Sequence, residues 1–242
     1  VVRLPLISNF TDMDALAVEP GVEVSFVDSA AAVEQADLVI LPGTRATVAD
    51  LNWLRRRGLH AALARRAAAG KPILGVCGGY QMLAEAIDDE VESRAGQVTG
   101  LGLLPATVHF GAEKILRRPT ARAYGHDVVA YEIHHGIVEP HGGEPFLDGC
   151  RHRSVWGTTW HGVLENDGFR QAFLTEVAAV AGRNFVPAPG SSFAAARQER
   201  LDALGDLVAD HLDIDAVHRL LEHGTPTGLP FIPPGAPTTP GG

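Results

Sequence analysis

The sequence predicts an α/β fold in which an open, mostly parallel sheet is flanked by helices and carries an antiparallel extension. In the first half, short apolar and β-branched runs alternate with helical runs. Strands buried on both faces are apolar throughout, and helices between them indicate parallel crossover connections. In the middle, strand-like runs are separated by charged loops containing proline and glycine, which predicts the antiparallel extension.

Three strands and three helices are predicted in the first half from apolar periodicity and from the glycines and prolines at their ends. Thr47 is expected to cap the first of these helices, and Gly58 and Gly70 are expected to end the first two. The predicted strands are residues 23–27, 37–41 and 72–76, and the predicted helices are residues 47–57, 59–69 and 78–86.

The second half is expected to begin with strands and to end with helices. The predicted strands are residues 101–110, 128–134 and 155–159, and the predicted helices are residues 169–181, 193–212 and 214–223. A tail rich in proline, glycine and threonine follows, for which we expect disorder. The predicted organisation is a leading segment at 1–20, one domain at 21–223 and the tail at 224–242.

Composition excludes several classes of function. The formal net charge of −9 and the lack of a long basic run argue against nucleic-acid binding. No apolar stretch approaches the roughly 20 residues that span a bilayer. Two cysteines, neither in a CxxC pair, argue against a disulfide framework or a zinc site and favour a reducing cytoplasm. The start lacks Met and a signal-peptide pattern, so we expect a chain cut from a longer one.

A cysteine stands between a predicted strand and a predicted helix. Cys77 follows the buried run 72–76, and Gly78 and Gly79 come directly after it. A residue at such a junction is held in a sharp, strained turn, which adjacent glycines permit. A helix N-terminus favours a thiolate and offers backbone N–H groups to an oxyanion. We therefore predict that Cys77 is a nucleophile and that Cys150 is an ordinary loop residue.

Five blocks of sequence resemble the cobyric acid synthase branch of the class I glutamine amidotransferases. Residues 75–83, Gly-Val-Cys-Gly-Gly-Tyr-Gln-Met-Leu, are similar to the nucleophile elbow of that branch. Residues 41–44, Leu-Pro-Gly-Thr, resemble its oxyanion loop, although Thr-Arg replaces the usual Ser-Lys that follows the glycine. The other three blocks are residues 3–12, 131–136 and 157–162.

The resemblance implies a flavodoxin-like sheet and a set of site residues. His161, in the last block, is implied as the catalytic base. Backbone groups of three residues are implied to form the oxyanion hole, namely Gly43, Thr44 and Gly78. Three further residues are candidate substrate contacts or shape the pocket, namely Gln81, Glu132 and His134.

The third member of a catalytic triad is missing from its usual place. A triad enzyme of this class would show His-x-Glu, but Val163 stands at that position and the nearest carboxylate is Glu165. Enzymes of the branch generally lack this carboxylate, so the resemblance implies a Cys77–His161 dyad. Cysteine is nucleophilic enough for a dyad to work. The alternative is that Glu165 orients His161. A carboxylate in a loop is, however, usually only solvated.

The implied activity is that of a cytoplasmic glutaminase domain, which supplies ammonia for ATP-dependent amidation of carboxylates on adenosylcobyrinic acid a,c-diamide in cobalamin biosynthesis. The partner would be an N-terminal synthetase domain of the same protein that holds ATP, magnesium and the corrinoid. No phosphate-loop motif GxxxxGK[ST] occurs here, so no cofactor is expected in this chain. The alternatives are the glutaminase subunit of lipid II isoglutaminyl synthase, cobyrinic acid a,c-diamide synthase and an inactive regulatory or binding domain with this fold.

Overall fold

The computed structural model describes residues 1–231, so most of the predicted tail at 224–242 lies outside the described residues. The chain divides into a compact unit, Val1–Ala194, and a second unit that begins at Ala195. The first twenty residues belong to the first unit. The boundaries predicted at residues 20 and 223 therefore differ from the one that separates the two units.

Eleven strands occur within the described residues, and all of them lie in the first unit. They are β1 (Val39–Leu41), β2 (Ile73–Val76), β3 (Ala86–Asp89), β4 (Gly96–Thr99), β5 (Ala106–Arg117), β6 (Thr120–Ala123), β7 (His126–Val129), β8 (Glu132–Pro140), β9 (Glu144–Phe146), β10 (Gly149–His152) and β11 (Val155–Thr158). They form a sheet in the order β1-β2-β11-β10-β9, a second sheet in the order β4-β3-β5-β8, and the hairpin β6-β7.

The helices lie mainly between the strands of the larger sheet and after the last strand. They are α1 (Asp14–Ala17), α2 (Ala30–Gln35), α3 (Thr47–Arg56), α4 (Leu59–Ala68), α5 (Gly78–Leu83), α6 (Asp167–Val180), α7 (Phe193–His211) and α8 (Ile214–His223). Short 3-10 turns cover Phe10–Met13 and Val163–Glu165. No helix within residues 1–231 is long and apolar enough to cross a membrane.

The larger sheet is buried on both faces, as the continuous apolar runs predict. Strands β1, β2 and β11 run parallel, and β10 and β9 add an antiparallel edge. Side chains alternate between two separate clusters of buried residues: Val39 and Ile73 belong to one cluster, and Ile40 and Leu74 belong to the other. Because β1, β2 and β11 are parallel neighbours, the loops that follow them meet at one edge of the sheet.

The second sheet is the predicted antiparallel extension. Strand β5 pairs antiparallel with β8 over most of its length, with a register shift between Phe110 and Ile115. Strand β3 pairs parallel with β5 and antiparallel with β4. This sheet begins directly after α5, the helix that follows Cys77.

Several predicted boundaries are wrong because tertiary contacts override local preference. Residues 23–27 do not form a strand; only Val27 pairs, through a parallel bridge to Val2. The helix predicted at 78–86 ends at Leu83, since Ala86 already pairs with Thr99 in the second sheet.

Three further predictions differ in detail. Thr47 does not cap α3; the N-cap is Ala46, and the N–H of Thr47 donates to Glu92 at 2.8 Å. The strand predicted at 101–110 begins only at Ala106, because the preceding residues turn back on α5, where the N–H of Leu103 donates to the carbonyl of Leu83 at 2.9 Å. The strand predicted at 128–134 is divided between β7 and β8.

A buried ion pair ties the N-terminal segment to α6. Arg170 Nε lies 2.9 Å from Glu19 Oε2, and both side chains are fully buried. Arg170 Nη1 also donates to the carbonyl of Leu164 at 2.9 Å. Loss of either partner would leave the other as an unpaired charge in the interior, which is strongly destabilising.

We expect Arg170→Met to lower the free energy of unfolding by about 3–5 kcal/mol, since it leaves Glu19 buried without its partner. The matched control is Arg183→Met, which removes an exposed pair with Asp37 and should cost much less, because solvent screens exposed ion pairs. Urea denaturation measures both values. Equal losses for the two variants would contradict the assigned role of the buried pair.

Candidate active site

Cys77 occupies a strained turn between β2 and α5. Its backbone angles are φ 50° and ψ −114°, a region that residues with a Cβ rarely adopt. The turn is held by two backbone bonds, from Cys77 N–H to the carbonyl of Thr158 at 2.8 Å and from Gln81 N–H to the carbonyl of Cys77 at 3.0 Å. Gly79 allows the close approach of α5, because a Cβ there would overlap the carbonyl oxygen of Leu41. The sharp turn predicted at this junction is therefore confirmed.

His161 lies in the loop after β11, at the same sheet edge as Cys77. A Cβ at Gly43 would lie 2.9 Å from His161 Cε1, so the loop after β1 packs directly on the imidazole. The ring of Tyr131 stacks on the imidazole, with centroids 5.1 Å apart and planes inclined by 21°. The Tyr131 hydroxyl accepts a hydrogen bond from Asn9 Nδ2 at 2.8 Å. These contacts leave the imidazole little freedom to rotate.

The carboxylate that orients His161 comes from the other end of the chain. Asp12 Oδ2 lies 2.6 Å from His161 Nδ1, and Asp12 Oδ1 accepts the N–H of Gly162 at 2.9 Å. Both side chains are almost fully buried. The sequence predicted such a carboxylate only after His161, and Asp12 was not predicted, although it closes the first block of family resemblance. Glu165, the predicted alternative, lies in the 3-10 turn after His161, and Asp12 occupies the Nδ1 position.

The protonation of His161 follows from these contacts. Burial by itself lowers the pKa of His161, but hydrogen bonds to Asp12 and to Cys77 raise it to about 10. The imidazolium form is therefore favoured near neutral pH. The imidazole is also hydrogen-bonded to the Cys77 sulfur. Asp12, His161 and Cys77 thus form one chain of hydrogen bonds.

The backbone amide of Thr44 is available at the predicted oxyanion loop. Ile7 and Thr44 form an antiparallel bridge that is closed by bonds from Ser8 N–H to the Gly43 carbonyl at 2.9 Å and from Arg45 N–H to the Leu6 carbonyl at 3.0 Å. In such a pair the N–H of the central residue points away from the partner segment. A Cβ at Gly78 would lie 3.1 Å from the Thr44 nitrogen, so the two predicted donor residues are neighbours.

The side chain of Thr44 holds this loop in place through hydrogen bonds. Its hydroxyl lies 2.5 Å from Asp50 Oδ2 and 3.1 Å from the carbonyl of Leu6, and it accepts the N–H of Ala46 at 3.1 Å. Burial raises the pKa of Asp50, while its hydrogen bond with Thr44 opposes that change. Thr44 therefore positions its own amide through its side chain.

Cys77 and His161 open into one cavity of about 320 Å³, here called the Cys77 cavity. Its walls carry both signs of charge, which suits a ligand with an amino group and a carboxylate. The remaining lining residues are Ser8, Asn9, Thr44, Arg45, Thr47, Gln81, Glu92, Phe110, Lys114, Ile133, His134 and His135. A larger cavity of about 650 Å³ lies beside Val1 and α6 and contains none of the predicted site residues.

The three candidate substrate contacts occupy different positions. Gln81 lines the Cys77 cavity; its Oε1 accepts from the Thr47 hydroxyl at 2.9 Å, and its Nε2 donates to the Gly136 carbonyl at 3.2 Å. His134 also lines the cavity. Direct contact of either with substrate stays a prediction.

Glu132, by contrast, is not part of the cavity lining. Its carboxylate accepts from Arg117 Nε at 3.0 Å and from Trp160 Nε1 at 2.6 Å. Glu132 therefore holds Trp160, the residue next to His161, through this hydrogen bond. The shape of the site depends on Glu132 through Trp160.

Two other predictions concern cysteine and metal binding. Cys150 is not in a loop but in β10, where it is buried and its sulfur lies 3.4 Å from the Tyr80 hydroxyl. Burial raises the pKa of its thiol, so it is a weak nucleophile. Across residues 1–231, no group of three or more His, Cys, Asp or Glu side chains is arranged to hold a metal ion.

The chain matches known proteins in sequence and in fold. The family profile described as the CobB/CobQ-like glutamine amidotransferase domain matches residues 1–169. Proteins named cobyric acid synthase are 64% identical over 237 residues in Streptomyces avermitilis and 61% identical over 241 residues in Frankia casuarinae. The match covers 98% of this chain but 47% and 46% of those proteins, so the chain spans about half the length of the curated relatives it matches.

Solved structures support the fold alone. A crystal structure of a glutamine amidotransferase matches with a TM-score of 0.55 and 22% identity, covering 75% of this chain and 97% of the other. The structure of PurLQS from Thermotoga maritima matches with a TM-score of 0.50 and 18% identity, covering 73% of this chain and 96% of the other. The predicted α/β fold is confirmed.

We expect Asp12→Asn to destabilise the protein in a pH-dependent way. The pKa of His161 is raised from 6.5 to about 10, so the stability from its charged form is fully present below about pH 6.5 and is lost as pH rises through about 10. The difference in unfolding free energy between wild type and Asp12→Asn should therefore shrink across that range, by up to about 1.4 kcal/mol per pH unit.

Urea denaturation at a series of pH values measures this difference, and Glu165→Gln is the control. The control should show no comparable decrease between about pH 6.5 and 10. A pH-independent effect of Asp12→Asn would contradict the charged Asp12–His161 pair.

Proposed function

This chain belongs to the family of CobB/CobQ-like glutamine amidotransferase domains, and from that premise we propose that it hydrolyses glutamine and supplies ammonia for the amidation of corrinoid carboxylates. One observation carries the glutaminase proposal: the strained Cys77 is joined to His161 and Asp12 by consecutive hydrogen bonds at the mouth of a charged cavity. Such an arrangement suits nucleophilic attack on an acyl carbon.

In the proposed reaction, the Cys77 thiolate attacks the carboxamide carbon of glutamine. The carbonyl oxygen takes the negative charge and receives hydrogen bonds from backbone amides of the loop at Gly43 and Thr44 and of Gly78. His161 gives its proton to the amide nitrogen, and the C–N bond breaks. Ammonia departs, and the glutamyl group remains on Cys77 as a thioester. A water molecule then attacks the thioester as His161 accepts its proton, and glutamate is released.

Asp12 enters this scheme as a positioning residue. Its two oxygens bind the imidazole Nδ1 and the adjacent backbone N–H of Gly162, so it holds the ring with Nε2 toward the sulfur and stabilises the imidazolium. The two-residue centre inferred from the sequence is thereby extended to Cys77, His161 and Asp12. A carboxylate in this role resembles the orienting member of hydrolase triads.

The acceptor is proposed from the relatives. Their name, cobyric acid synthase, and the 64% identity to the Streptomyces avermitilis protein favour cobyric acid synthesis over the other amidotransferase activities considered from the sequence. We propose that a synthetase half, covering the part of the relatives that this chain does not match, binds ATP, magnesium and adenosylcobyrinic acid a,c-diamide. Ammonia from Cys77 would then replace an activated carboxylate oxygen. We also propose a cytoplasmic location for the pair.

The nucleophile assignment predicts a sharp contrast between the two cysteines. Cys77→Ala should abolish glutamate release from glutamine, because no thioester forms. Cys150→Ala should leave the rate nearly unchanged, since Cys150 lies in β10 outside the Cys77 cavity. Glutamate release and trapping of a thioester by mass spectrometry measure both. Similar rates for the two variants would show that Cys77 is not the nucleophile.

The acceptor assignment predicts coupling between two sites. The chain alone should release glutamate slowly until a partner is engaged. Glycine tolerates the backbone change by which the Gly43 peptide would give up its bond from the Ser8 N–H and withdraw an oxyanion donor. Adding the synthetase half with MgATP and the corrinoid should raise the rate by about tenfold or more, a usual size for coupling. Mass spectrometry should detect amidated corrinoid. A rate unaffected by partner, nucleotide and corrinoid, without amidated product, would refute this acceptor.

A further inference from the structure

His134 lines the Cys77 cavity and carries an unused hydrogen-bond acceptor. The residue lies on β8, is only 8% exposed, and lines the cavity together with Cys77 and His161. Its Nδ1 lies 2.8 Å from the carbonyl oxygen of Gly136. A carbonyl only accepts, so Nδ1 carries the proton, and in the neutral ring Nε2 is left with a lone pair.

The lone pair on His134 Nε2 has no partner among residues 1–231, although the atom is buried. A buried polar atom without a partner costs about 1–3 kcal/mol, so a partner supplied by a ligand is expected. Burial, and to a lesser extent the nearby charge of His161, lowers the pKa of His134. The ring is therefore neutral near pH 7, and Nε2 is an acceptor rather than a donor.

Glutamine offers two groups that can donate to such an atom, the α-ammonium and the carboxamide NH₂. A full positive charge is best matched by a carboxylate, and Glu92 lines the same cavity. The neutral imidazole matches the neutral carboxamide. We propose that His134 Nε2 accepts a hydrogen bond from the carboxamide nitrogen of glutamine and then from the ammonia formed from it. This inference rests on the proposed glutaminase function.

The consequence concerns the charge of the leaving group. As the Cys77 S–C bond forms and the C–N bond breaks, the nitrogen takes one proton from His161 and departs as NH₃. His134 holds one N–H of this nitrogen throughout. It carries no negative charge that would favour ammonium, and it has no proton at Nε2 to transfer. Ammonia therefore remains the uncharged nucleophile that an amidation requires.

Two substitutions separate this role from a structural one. His134→Asn can keep the donor to the Gly136 carbonyl but places no acceptor at the Nε2 position. His134→Gln can place an amide oxygen near the Nε2 position but loses the donor to Gly136. If His134 serves only to hold the backbone, Asn should be the better replacement; if it serves as the acceptor, Gln should be.

The experiment compares glutamine with its γ-methyl ester, which has no N–H on the leaving group. The quantity measured on the full chain is kcat/KM, because both substrates form the same thioester and differ only in the steps before it. We expect His134→Asn to lower kcat/KM for glutamine about tenfold, equivalent to about 1.4 kcal/mol, with ester hydrolysis unchanged or raised. His134→Gln should recover most of the loss.

Retained ester hydrolysis also shows that the variant is folded. An equal loss on both substrates, full activity of His134→Asn on glutamine, or better rescue by Asn than by Gln would overturn the assignment of His134 while leaving the glutaminase proposal intact. If the wild type shows no Cys77-dependent glutamate release, both proposals fail.

Discussion

The hydrogen bond between Asp12 and His161 is the interaction on which the site depends. It joins two residues separated by 149 positions in the sequence, and the same carboxylate also binds the backbone at Gly162. A buried ion pair of this kind is stabilising only when its remaining hydrogen-bonding capacity is satisfied, and here both carboxylate oxygens are used. The N-terminal segment is therefore part of the candidate site as well as part of the fold.

The position of Asp12 is itself set by packing around the sheet. Met13 and Leu16, just after it, are buried in the same cluster as Ile40, Leu74 and Trp160. That cluster covers one face of the parallel strands whose ends carry Cys77 and His161. The buried Arg170–Glu19 pair holds the following residues of the segment against α6. Displacement of this segment would withdraw the carboxylate from the imidazole.

The strained turn at Cys77 must be stabilised by the backbone around it. A backbone held outside the favoured regions costs on the order of 1–3 kcal/mol, which the surrounding structure must offset. Parallel pairing of β2 with both β1 and β11 offsets it, together with the close contact of Gly79 with Leu41. The strained turn holds the sulfur at the sheet edge, where it is hydrogen-bonded to His161. Stability of the sheet and reactivity of the cysteine are thus linked.

The sequence by itself determined the parallel strands, the Cys77 turn and the family, and it predicted His161 as a site residue, because each is encoded by residues adjacent along the chain. A continuous apolar run marks a strand buried on both faces, and a cysteine followed by two glycines marks a strained strand-to-helix turn. Only the tertiary structure decided that Asp12 binds His161, that Glu132 binds Trp160, and that His134 lines the Cys77 cavity. Those pairings depend on how distant segments pack, and local periodicity carries no information about which buried carboxylate will meet which imidazole.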